Sequence, residues 1–356
     1  MKKLKHGIIG FGFISEKHMR GYASVSDRVE TVAVCDILPE RLEAARAQGI
    51  ERLYDDYHAM LAEPDIDIVS VCLPNYLHRQ VTIDALEAGK HVHCEKPMAM
   101  NYAEALEMLA AQKRTGKNLM IGLNNRYVPI NQYIRKYVQE GNIGEVYFAK
   151  CGWTDRMGLP PSGWFTDVRR SGGGAVIDTA VHYVDLVMQM LGYPAVESVT
   201  ARTFDRLISD PELAGSYAFP GLIDPKDTFT VEDLGTGIIN LSGRRSIVFE
   251  HSWASNIEEG KRYYALYGTR GGVSFENDRV RIFKTENGTQ TDSIPVIDPG
   301  DSAWESEFAM LPDAIEHGRD ISSIPQQAAE MMRIIDAIYA SSASGQMIRL
   351  DEEKNG

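Results

Sequence analysis

The sequence has few of the features that mark secreted, metal-stapled or membrane proteins. It holds four cysteines in 356 residues, and none of them forms a C-x-x-C pair. This spacing argues against a disulfide framework and against a structural zinc site. Reduced thiols are the simplest interpretation and favour a cytoplasmic protein. The sequence also has no apolar run of about 18 residues, the length of a membrane-spanning helix.

Positive charge is also scarce, because 37 Lys and Arg face 50 Asp and Glu and the net charge is −13. An acidic surface repels phosphate backbones, so we expect no nucleic-acid partner. The basic start from Met1 to Lys5 and the apolar stretch from Gly7 to Ile14 resemble parts of a signal peptide. That stretch is short, carries three glycines and lacks a small-residue cleavage site after it. We therefore expect a mature N-terminus and a cytoplasmic location.

The length predicts about two domains at roughly 150 residues each. In the first third, short apolar runs alternate with amphipathic runs, which predicts a doubly wound parallel sheet with helices on both faces. The run from Ile68 to Leu73 is apolar almost throughout, as in a strand buried on both faces. The predicted strands are 6–9, 31–35, 68–73, 91–94 and 118–123, and the predicted helices are 13–25, 39–47, 57–62, 77–88 and 102–114.

The pattern changes after about residue 124, where longer segments alternate apolar and polar residues as in an antiparallel sheet with two different faces. The sequence thus predicts a domain over residues 1–124 and a second, α/β domain over 125–356. Residues 205–227 show no period and are predicted to form a long loop. The predicted strands are 145–153, 196–204, 229–241, 246–254, 262–267 and 280–284, and the predicted helices are 129–139, 175–191, 304–317 and 326–341.

A glycine loop follows the first predicted strand. Gly10, Gly12 and Ser15 match G-x-G-x-x-G/A with Ser at the third small position. Such a loop lets a pyrophosphate approach the backbone at the start of a helix. Asp36 ends the second strand, 26 positions after Gly10. Its carboxylate would bind ribose hydroxyls and repel a 2′-phosphate, or it is a simple turn or cap residue. Because residues 36–38 offer no Arg or Ser, NAD is favoured over NADP.

Two more motifs follow predicted parallel strands, whose carboxyl ends bind ligands in such sheets. Pro74 and Asn75 are candidates for cofactor contacts, and Asn75 is also a candidate helix N-cap. Lys96 ends the next strand, where a lysine can polarise a carbonyl or hydroxyl oxygen and move protons. The alternative is a surface lysine in a turn.

The stretch from Gly172 to His182 carries the strongest catalytic pattern. Asp178 and His182 are four residues apart, so they share one helix face. An imidazole is a suitable general base for an alcohol proton, and the carboxylate can orient it or bind a substrate hydroxyl. A helix-surface ion pair is the alternative. Two ligands are too few for a metal, and His91-x-His93 is better explained as buried strand, so no metal site is predicted.

These motifs, in this order, resemble the glucose-fructose oxidoreductase / inositol dehydrogenase family (Gfo/Idh/MocA). The resemblance implies a Rossmann domain plus a C-terminal domain with a large open, mainly antiparallel sheet that forms homodimer or homotetramer contacts. The matching segments are the glycine loop, Leu73-Pro74-Asn75 with His78, Glu95-Lys96-Pro97, 122–126 with Pro129, and 172–182.

The resemblance also implies roles for individual residues. The catalytic residues are Lys96, Asp178 and His182. The cofactor-binding residues are Gly10, Gly12, Phe13, Ile14, Asp36, Leu73, Pro74, Asn75, His78, Glu95, Lys96, Asn124 and Trp164. The substrate-binding residues are Lys96, Arg126, Trp153, Asp155, Asp178, His182 and Tyr263. Many relatives have Trp-Arg where this chain has Trp164-Phe165, so Arg169 or Arg170 is a candidate replacement.

The motifs and the resemblance together predict an NAD-dependent dehydrogenase or reductase. Its substrate would be a ring hydroxyl or keto group of a sugar, glycoside or cyclitol, with no nucleic-acid or membrane partner. One alternative is a glycosidase that acts through transient NAD-dependent oxidation. Another is a non-catalytic, NAD-sensing regulatory protein, against which the intact Lys96 and His182 count.

Overall fold

The computed structural model describes residues 2–219, 221–297 and 303–350. Within these ranges no helix is both long and apolar enough to cross a membrane. The chain forms two compact units, called here the first and the second unit. They consist of Met1–Val128 with Gly300–Met332 and of Pro129–Pro299 with Arg333–Gly356. The sequence predicted a single division after residue 124 and did not predict that residues 300–332 belong to the first unit. The predicted domain boundary stays a prediction.

The first unit contains a six-stranded sheet of order β3-β2-β1-β4-β5-β6 in which neighbouring strands run parallel. Its strands are β1 (Leu4–Ile9), β2 (Val29–Cys35), β3 (Arg52–Tyr54), β4 (Ile68–Val71), β5 (His91–Cys94) and β6 (Leu119–Ile121). Its helices are α1 (Ser15–Ser24), α2 (Pro39–Ala47), α3 (Tyr57–Leu61), α4 (Asn75–Glu87) and α5 (Tyr102–Thr115). The predicted doubly wound sheet is confirmed, although β3 was not predicted.

The strand order reverses direction between β1 and β4, and this places two connections side by side at the carboxyl edge of the sheet. The β1–α1 connection and the β4–α4 connection therefore flank the position where open parallel sheets bind ligands. β4 is buried along its whole length, as its continuous apolar run predicted. α5 begins at an Asn101 cap that accepts from the Glu104 N–H at 2.9 Å and ends at Gly116 with φ 66°.

The second unit is built on a nine-stranded, mainly antiparallel sheet of order β14-β13-β12-β11-β7-β10-β9-β8-β15, in which β7 and β10 run parallel. Its strands are β7 (Val146–Thr154), β8 (Val196–Phe204), β9 (Leu234–Leu241), β10 (Arg245–Ser252), β11 (Lys261–Gly268), β12 (Gly271–Glu276), β13 (Arg279–Glu286), β14 (Thr289–Ser293) and β15 (Ile348–Arg349). The large open sheet is confirmed. The strand predicted to start at residue 229 begins at Leu234 instead.

The remaining helices complete the two units. A 3-10 helix spans Asn124–Tyr127, and the α-helices are α6 (Pro129–Gln139), α7 (Val168–Ser171), α8 (Ala175–Met190), α9 (Pro211–Gly215), α10 (Ala303–His317) and α11 (Ser323–Ser344). α8 packs on β7 and β10 and is buried almost throughout, so it covers one face of the large sheet. The predicted long loop at 205–227 contains α9, which packs into an apolar cluster with Trp253.

In the first unit α10 packs against α1 through a close ring contact. A Cβ on Gly21 would meet the Phe308 ring at 2.3 Å. The ring cannot shift freely, because its centroid lies 4.8 to 4.9 Å from the rings of His18, Tyr22 and His93. Gly21 therefore sets the distance between the two helices.

Gly21→Ala should lower the free energy of unfolding by about 1–3 kcal/mol, because the added methyl group overpacks a rigid aromatic cluster. Urea unfolding followed by circular dichroism measures the change. Gly215→Ala is the matched control, since a Cβ there meets no atom within 4 Å. It should stay within about 0.5 kcal/mol of the native protein. A Gly21→Ala protein as stable as the native one would contradict this account of the α1–α10 contact.

Candidate active site

The loop between β1 and α1 has the geometry of a phosphate-binding turn. Gly10 has φ +89°, and a Cβ there would lie 2.3 Å from the Cys72 carbonyl oxygen, so only glycine fits. A Cβ on Gly12 would meet nothing nearer than the Arg41 guanidinium at 3.9 Å. The N-cap residue Ile14 makes no side-chain hydrogen bond to the N–H groups at the start of α1. The backbone at the start of α1 is thus open to an anion, which fits the pyrophosphate of a dinucleotide.

Asp36 closes this loop from the end of β2. Its carboxylate accepts hydrogen bonds from the Phe11 N–H at 2.7 Å and the Leu38 N–H at 2.9 Å. These hydrogen bonds confirm the interpretation of Asp36 as a turn residue, and its contact with ribose hydroxyls stays a prediction. Arg41 donates to the same carboxylate at 3.1 Å. The sequence analysis considered only residues 36–38 for a positive charge and missed Arg41, which the first turn of α2 brings back to Asp36.

Apolar side chains and one buried amide oxygen complete the candidate cofactor region of the first unit. Phe13 is 85% exposed and Ile37 is 81% exposed, so each offers a free apolar surface beside the loop. Such surface suits the flat face of an adenine ring. The Asn124 amide oxygen is buried and has no hydrogen-bond partner within the described ranges. A buried acceptor without a partner is costly, and a ligand that donates to it would remove that cost. These features fit an NAD molecule.

His78 joins the two loops that follow β4 and β5. It is buried and its ring nitrogens lie 2.7 Å from the carbonyl oxygens of Leu73 and Pro97. Burial alone would lower the pKa of His78, but Cys94 and the two carbonyls raise it to about 9. The ring then donates from both nitrogens and ties the loops together. Asn75 is the first residue of α4 and not its cap, because Pro74 occupies the N-cap position.

Lys96 follows a buried carboxylate that holds its backbone. Glu95 accepts from the Lys96 N–H at 3.1 Å with one oxygen and lies 2.8 Å from the His18 ring nitrogen with the other. Burial alone would raise the pKa of Glu95, but the hydrogen bond with His18 and the charge interactions with His18 and Lys96 lower it. Glu95 is therefore ionised at neutral pH. The predicted substrate residue Arg126 lies in the 3-10 helix that follows β6 and donates to Gln327 at 2.7 Å.

In the second unit a buried glutamate organises the start of α8. Glu232 accepts from the N–H groups of Gly174 and Val176, both at 2.9 Å, and from the Tyr339 hydroxyl at 2.9 Å. A Cβ on Gly174 would lie 2.0 Å from the Glu232 carbonyl oxygen, which explains the glycine there. Burial raises the pKa of Glu232. The sequence analysis missed Glu232, because nothing in its local pattern connects residue 232 to α8.

The structure brings the predicted Asp178 and His182 together on one face of α8. Asp178 is the one residue of α8 that is not buried, and its carboxylate accepts from the Trp253 indole N–H at 2.8 Å. The His182 ring lies 5.6 Å from the Trp153 ring, measured between centroids. An acid, an imidazole and two indoles thus lie together beside this face. Trp253 was not predicted, because only the fold brings β10 beside α8.

Trp153 is part of a layered contact that includes the predicted Asp155. The Trp153 indole N–H donates to Asp155 at 2.7 Å, and the Arg262 guanidinium lies 4.3 Å from the Trp153 ring centroid. Tyr263 lies elsewhere, since it pairs with Gly152 while Arg262 pairs with Trp153. Alternate residues of a strand face opposite sides. The register therefore speaks against a substrate contact for Tyr263.

A second histidine lies beneath the predicted pair. His251 is fully buried, and its Nδ1 lies 2.9 Å from the Thr179 hydroxyl. That hydroxyl donates to the Ala175 carbonyl at 2.6 Å, so His251 donates to Thr179. Burial, followed by the proximity of His182, lowers the pKa of His251 to about 3. The His251 ring is therefore neutral near pH 7 and places no positive charge beside His182.

The other predicted residues of the second unit lie in the segment before α8. Trp164 stacks on Phe165 with ring centroids 3.7 Å apart. Arg169, a candidate replacement for the arginine of relatives, donates to the Asp167 carboxylate through two nitrogens at 2.8 and 3.0 Å. Its charge is therefore already paired within its own turn.

Comparison with known proteins agrees with this geometry. A family model of oxidoreductases with an NAD-binding Rossmann fold matches residues 4–123, and a model of the GFO/IDH/MocA C-terminal domain matches residues 131–274. A D-glucoside 3-dehydrogenase of Escherichia coli (strain K12) is 38% identical over 257 residues, which are 72% of each chain. A D-apiose dehydrogenase of Paraburkholderia graminis is 33% identical over 98% of this chain and 90% of its own length.

Solved structures agree in fold along almost the whole chain. An oxidoreductase domain protein from Kribbella flavida has a TM-score of 0.86 at 25% identity, covering 99% of this chain and 100% of that one. A levoglucosan dehydrogenase in complex with NADH and L-sorbose has a TM-score of 0.86 at 23% identity, with the same coverage. The resemblance based on the motifs is confirmed. The chain belongs to the GFO/IDH/MocA family of NAD-binding oxidoreductases.

Proposed function

We propose that this oxidoreductase moves a hydride between NAD and a ring hydroxyl or keto group of a sugar, glycoside or cyclitol. The observation that carries the proposal is the Asp178–His182 pair on α8, bordered by the indoles of Trp253 and Trp153. Acidic and imidazole groups beside flat indoles suit a polyhydroxylated ring, which has hydroxyl groups at its edge and apolar C–H faces. Relatives support this class, since they include D-glucoside 3-dehydrogenase, levoglucosan dehydrogenase and inositol 2-dehydrogenase.

The proposed roles follow from the chemistry of each side chain. His182 removes the proton of the reacting hydroxyl in the oxidative direction. Lys96 hydrogen-bonds the same oxygen and stabilises the charge that develops on it. Asp178, held by the Trp253 indole N–H, accepts from a neighbouring hydroxyl and fixes the ring. When bound, NAD supplies the carbon that accepts the hydride.

The residues proposed to hold NAD lie in the first unit. The backbone of Gly12, Phe13 and Ile14 would bind the pyrophosphate at the start of α1, and the Asp36 carboxylate would bind the ribose hydroxyls. Asn124 offers its buried amide oxygen. Leu73, Pro74 and Glu95 shape the carboxyl edge of the sheet, while His78 holds the loops in place.

We also propose that two or more copies associate through the open face of the large sheet. Phe148 pairs with Tyr267, Tyr267 with Gly272, and Gly272 with Phe283, so these residues form one row across four strands. The Phe148 and Tyr267 ring centroids lie 5.3 Å apart, and Tyr267 and Phe283 are exposed. A second copy of the same face would cover this apolar row. The arrangement is a homodimer or homotetramer.

His182→Ala and Lys96→Ala should each lower kcat at least tenfold and leave NAD affinity nearly unchanged, because both residues act on the reacting hydroxyl. The substrate for the assay comes from a screen of NADH formation over inositols, hexoses, glycosides and sugar acids, with NAD and NADP in parallel. Variants with native turnover would refute the proposed roles. Cleavage of a glycoside without build-up of NADH would instead identify the transient-oxidation glycosidase.

Asp36→Ala should shift the preference from NAD towards NADP by about one to two orders of magnitude. The substitution removes a carboxylate that repels a 2′-phosphate and releases the Arg41 guanidinium that now binds it. Calorimetric Kd values for both cofactors measure the ratio, which is insensitive to a general loosening of the loop. In the control, Asp36→Ala combined with Arg41→Ala, the gain for NADP should disappear. An unchanged ratio in the single variant would contradict the proposed role of Asp36.

Tyr267→Lys should shift the native oligomer towards smaller species, because it places a charge in the centre of the apolar row. Analytical ultracentrifugation at several protein concentrations measures the change. Phe219→Lys is the control, since Phe219 is 62% exposed on the segment that contains α9 and lies outside the sheet. A monomeric native protein, or an oligomer that Tyr267→Lys leaves intact, would overturn the proposed interface.

A further inference from the structure

A second buried acid directly follows Glu232, the residue that binds the start of α8. Asp233 precedes β9 and is 2% exposed. Burial raises the pKa of its carboxyl group. An acidic side chain in such surroundings costs free energy unless hydrogen bonds offset the loss of water. The groups that bind Asp233 therefore indicate the role of this acid.

The side chain of Asp233 holds the start of the α9 segment, defined here as residues 205–219. Its Oδ2 atom accepts from the Leu207 N–H at 2.6 Å and from the Ile208 N–H at 2.9 Å. The backbone N–H of Asp233 donates to the carbonyl of Phe204, the last residue of β8, at 2.9 Å. Asp233 thus turns the chain as it leaves β8 and fixes the position of Ile208.

Ile208 belongs to a cluster of apolar side chains that packs around Trp253. Ile208, Ala214 and Ala218 of the α9 segment are buried in this cluster, and Trp253 itself is 3% exposed. The backbone N–H of Trp253 donates to the carbonyl oxygen of Asp233 at 2.9 Å. Trp253 is therefore held at its main chain by Asp233 and at its ring by the α9 segment.

The Trp253 indole in turn holds the carboxylate of Asp178. The indole N–H donates to Asp178 Oδ2 at 2.8 Å. A hydrogen bond weakens steeply when its donor and acceptor lose alignment, so a displaced indole would release this carboxylate. Glu232 therefore holds the backbone of α8, whereas Asp233 holds the indole that orients a side chain on α8.

We propose that Asp233 is a positioning residue for the substrate, because together with the α9 segment it sets the Trp253 indole that orients Asp178. The inference rests on the proposed function, in which Asp178 accepts from a hydroxyl next to the reacting one. Asp233 acts through Trp253 and Asp178 and contributes no group to the reacting atoms. The α9 segment thereby determines how strictly the enzyme requires that neighbouring hydroxyl.

Asp233→Ala should weaken the discrimination between the sugar found in the NADH screen and its deoxy analogues at the neighbouring hydroxyls. A site that hydrogen-bonds a hydroxyl rejects an analogue without it, so a loosened Asp178 should lower the ratio of kcat/KM values by about tenfold. The loss for the sugar should fall mainly on KM, because His182 and Lys96 are unchanged. NAD affinity should stay native, since the residues proposed to bind NAD lie in the first unit.

Two variants serve as controls for this measurement. Asp233→Asn should keep the native ratio, because its amide oxygen can still accept from both N–H groups. Asp224→Ala also removes a carboxylate that binds a backbone N–H, here that of Lys226 at 2.9 Å in an exposed turn. It should keep the native ratio too.

Three results would overturn the role of Asp233. The first is a native ratio in Asp233→Ala. The second is an equal loss in Asp224→Ala, which would identify a general loosening of the second unit. The third is an equal loss in Asp233→Asn, which would identify an effect of charge.

Ile208→Val keeps the hydrogen bonds of Asp233 and tests the same coupling if Asp233→Ala does not fold. The smaller side chain loosens the cluster around Trp253, so the ratio should fall in the same direction by about twofold to threefold. A native ratio in this variant would count against the coupling of the α9 segment to Asp178.

A further measurement needs no substrate. The chain has four tryptophans, so a nitrogen-15 spectrum of the indole N–H groups contains few signals, and Trp253→Phe assigns the signal of Trp253. Asp233→Ala should move this signal upfield, because the hydrogen bond to Asp178 weakens, whereas Asp233→Asn should not. The signal of Trp304 in the first unit should stay in place.

The two proposals fail in different ways. If no sugar, glycoside or cyclitol is oxidised, the proposed function fails, and the indole signal alone decides whether Asp233 sets the contact between Trp253 and Asp178. If a sugar is oxidised but Asp233→Ala leaves both the ratio and the indole signal native, the proposed function stands and the role of Asp233 is refuted.

Discussion

Each unit holds its candidate site residues on a buried acidic side chain, and such a side chain is tolerated only when hydrogen bonds offset the loss of water. In the first unit Glu95 meets this requirement through His18 and the Lys96 backbone. In the second unit Glu232 meets it through the first N–H groups of α8 and the hydroxyl of Tyr339. The same bonds that satisfy these acids fix the loop that carries Lys96 and the helix that carries Asp178 and His182.

The net charge of −13 repels anions, although the NAD cofactor is itself an anion. The conflict is resolved locally, since the glycine loop presents backbone N–H groups at the start of α1 and the nearby acid Asp36 is itself neutralised by Arg41. Global charge bears on nucleic-acid binding and solubility, whereas affinity for an anionic dinucleotide depends on a few donors within hydrogen-bond distance.

Much of the architecture was predictable because its signals are local. The G-x-G-x-x-S loop, the apolar run at β4 and the i, i+4 spacing of Asp178 and His182 each depend on neighbours within one element, and each is found where it was predicted. Short or partly exposed strands such as β3 and β14 were missed, because three to five residues carry too little pattern. The start of β9 was placed too early, since the β-rich composition extends beyond the hydrogen-bonded strand.

The sequence by itself determined the fold class, the cofactor loop and the residue types at the site, because periodicity and spacing within one helix or strand decide these. Only the tertiary structure decided which distant groups meet. It placed Trp253 and His251 beside α8, turned Tyr263 to the other face of the sheet, and joined His6 to His18 through Ser70. Such contacts depend on strand register and helix packing, in which a shift of one residue reverses the face that a side chain occupies.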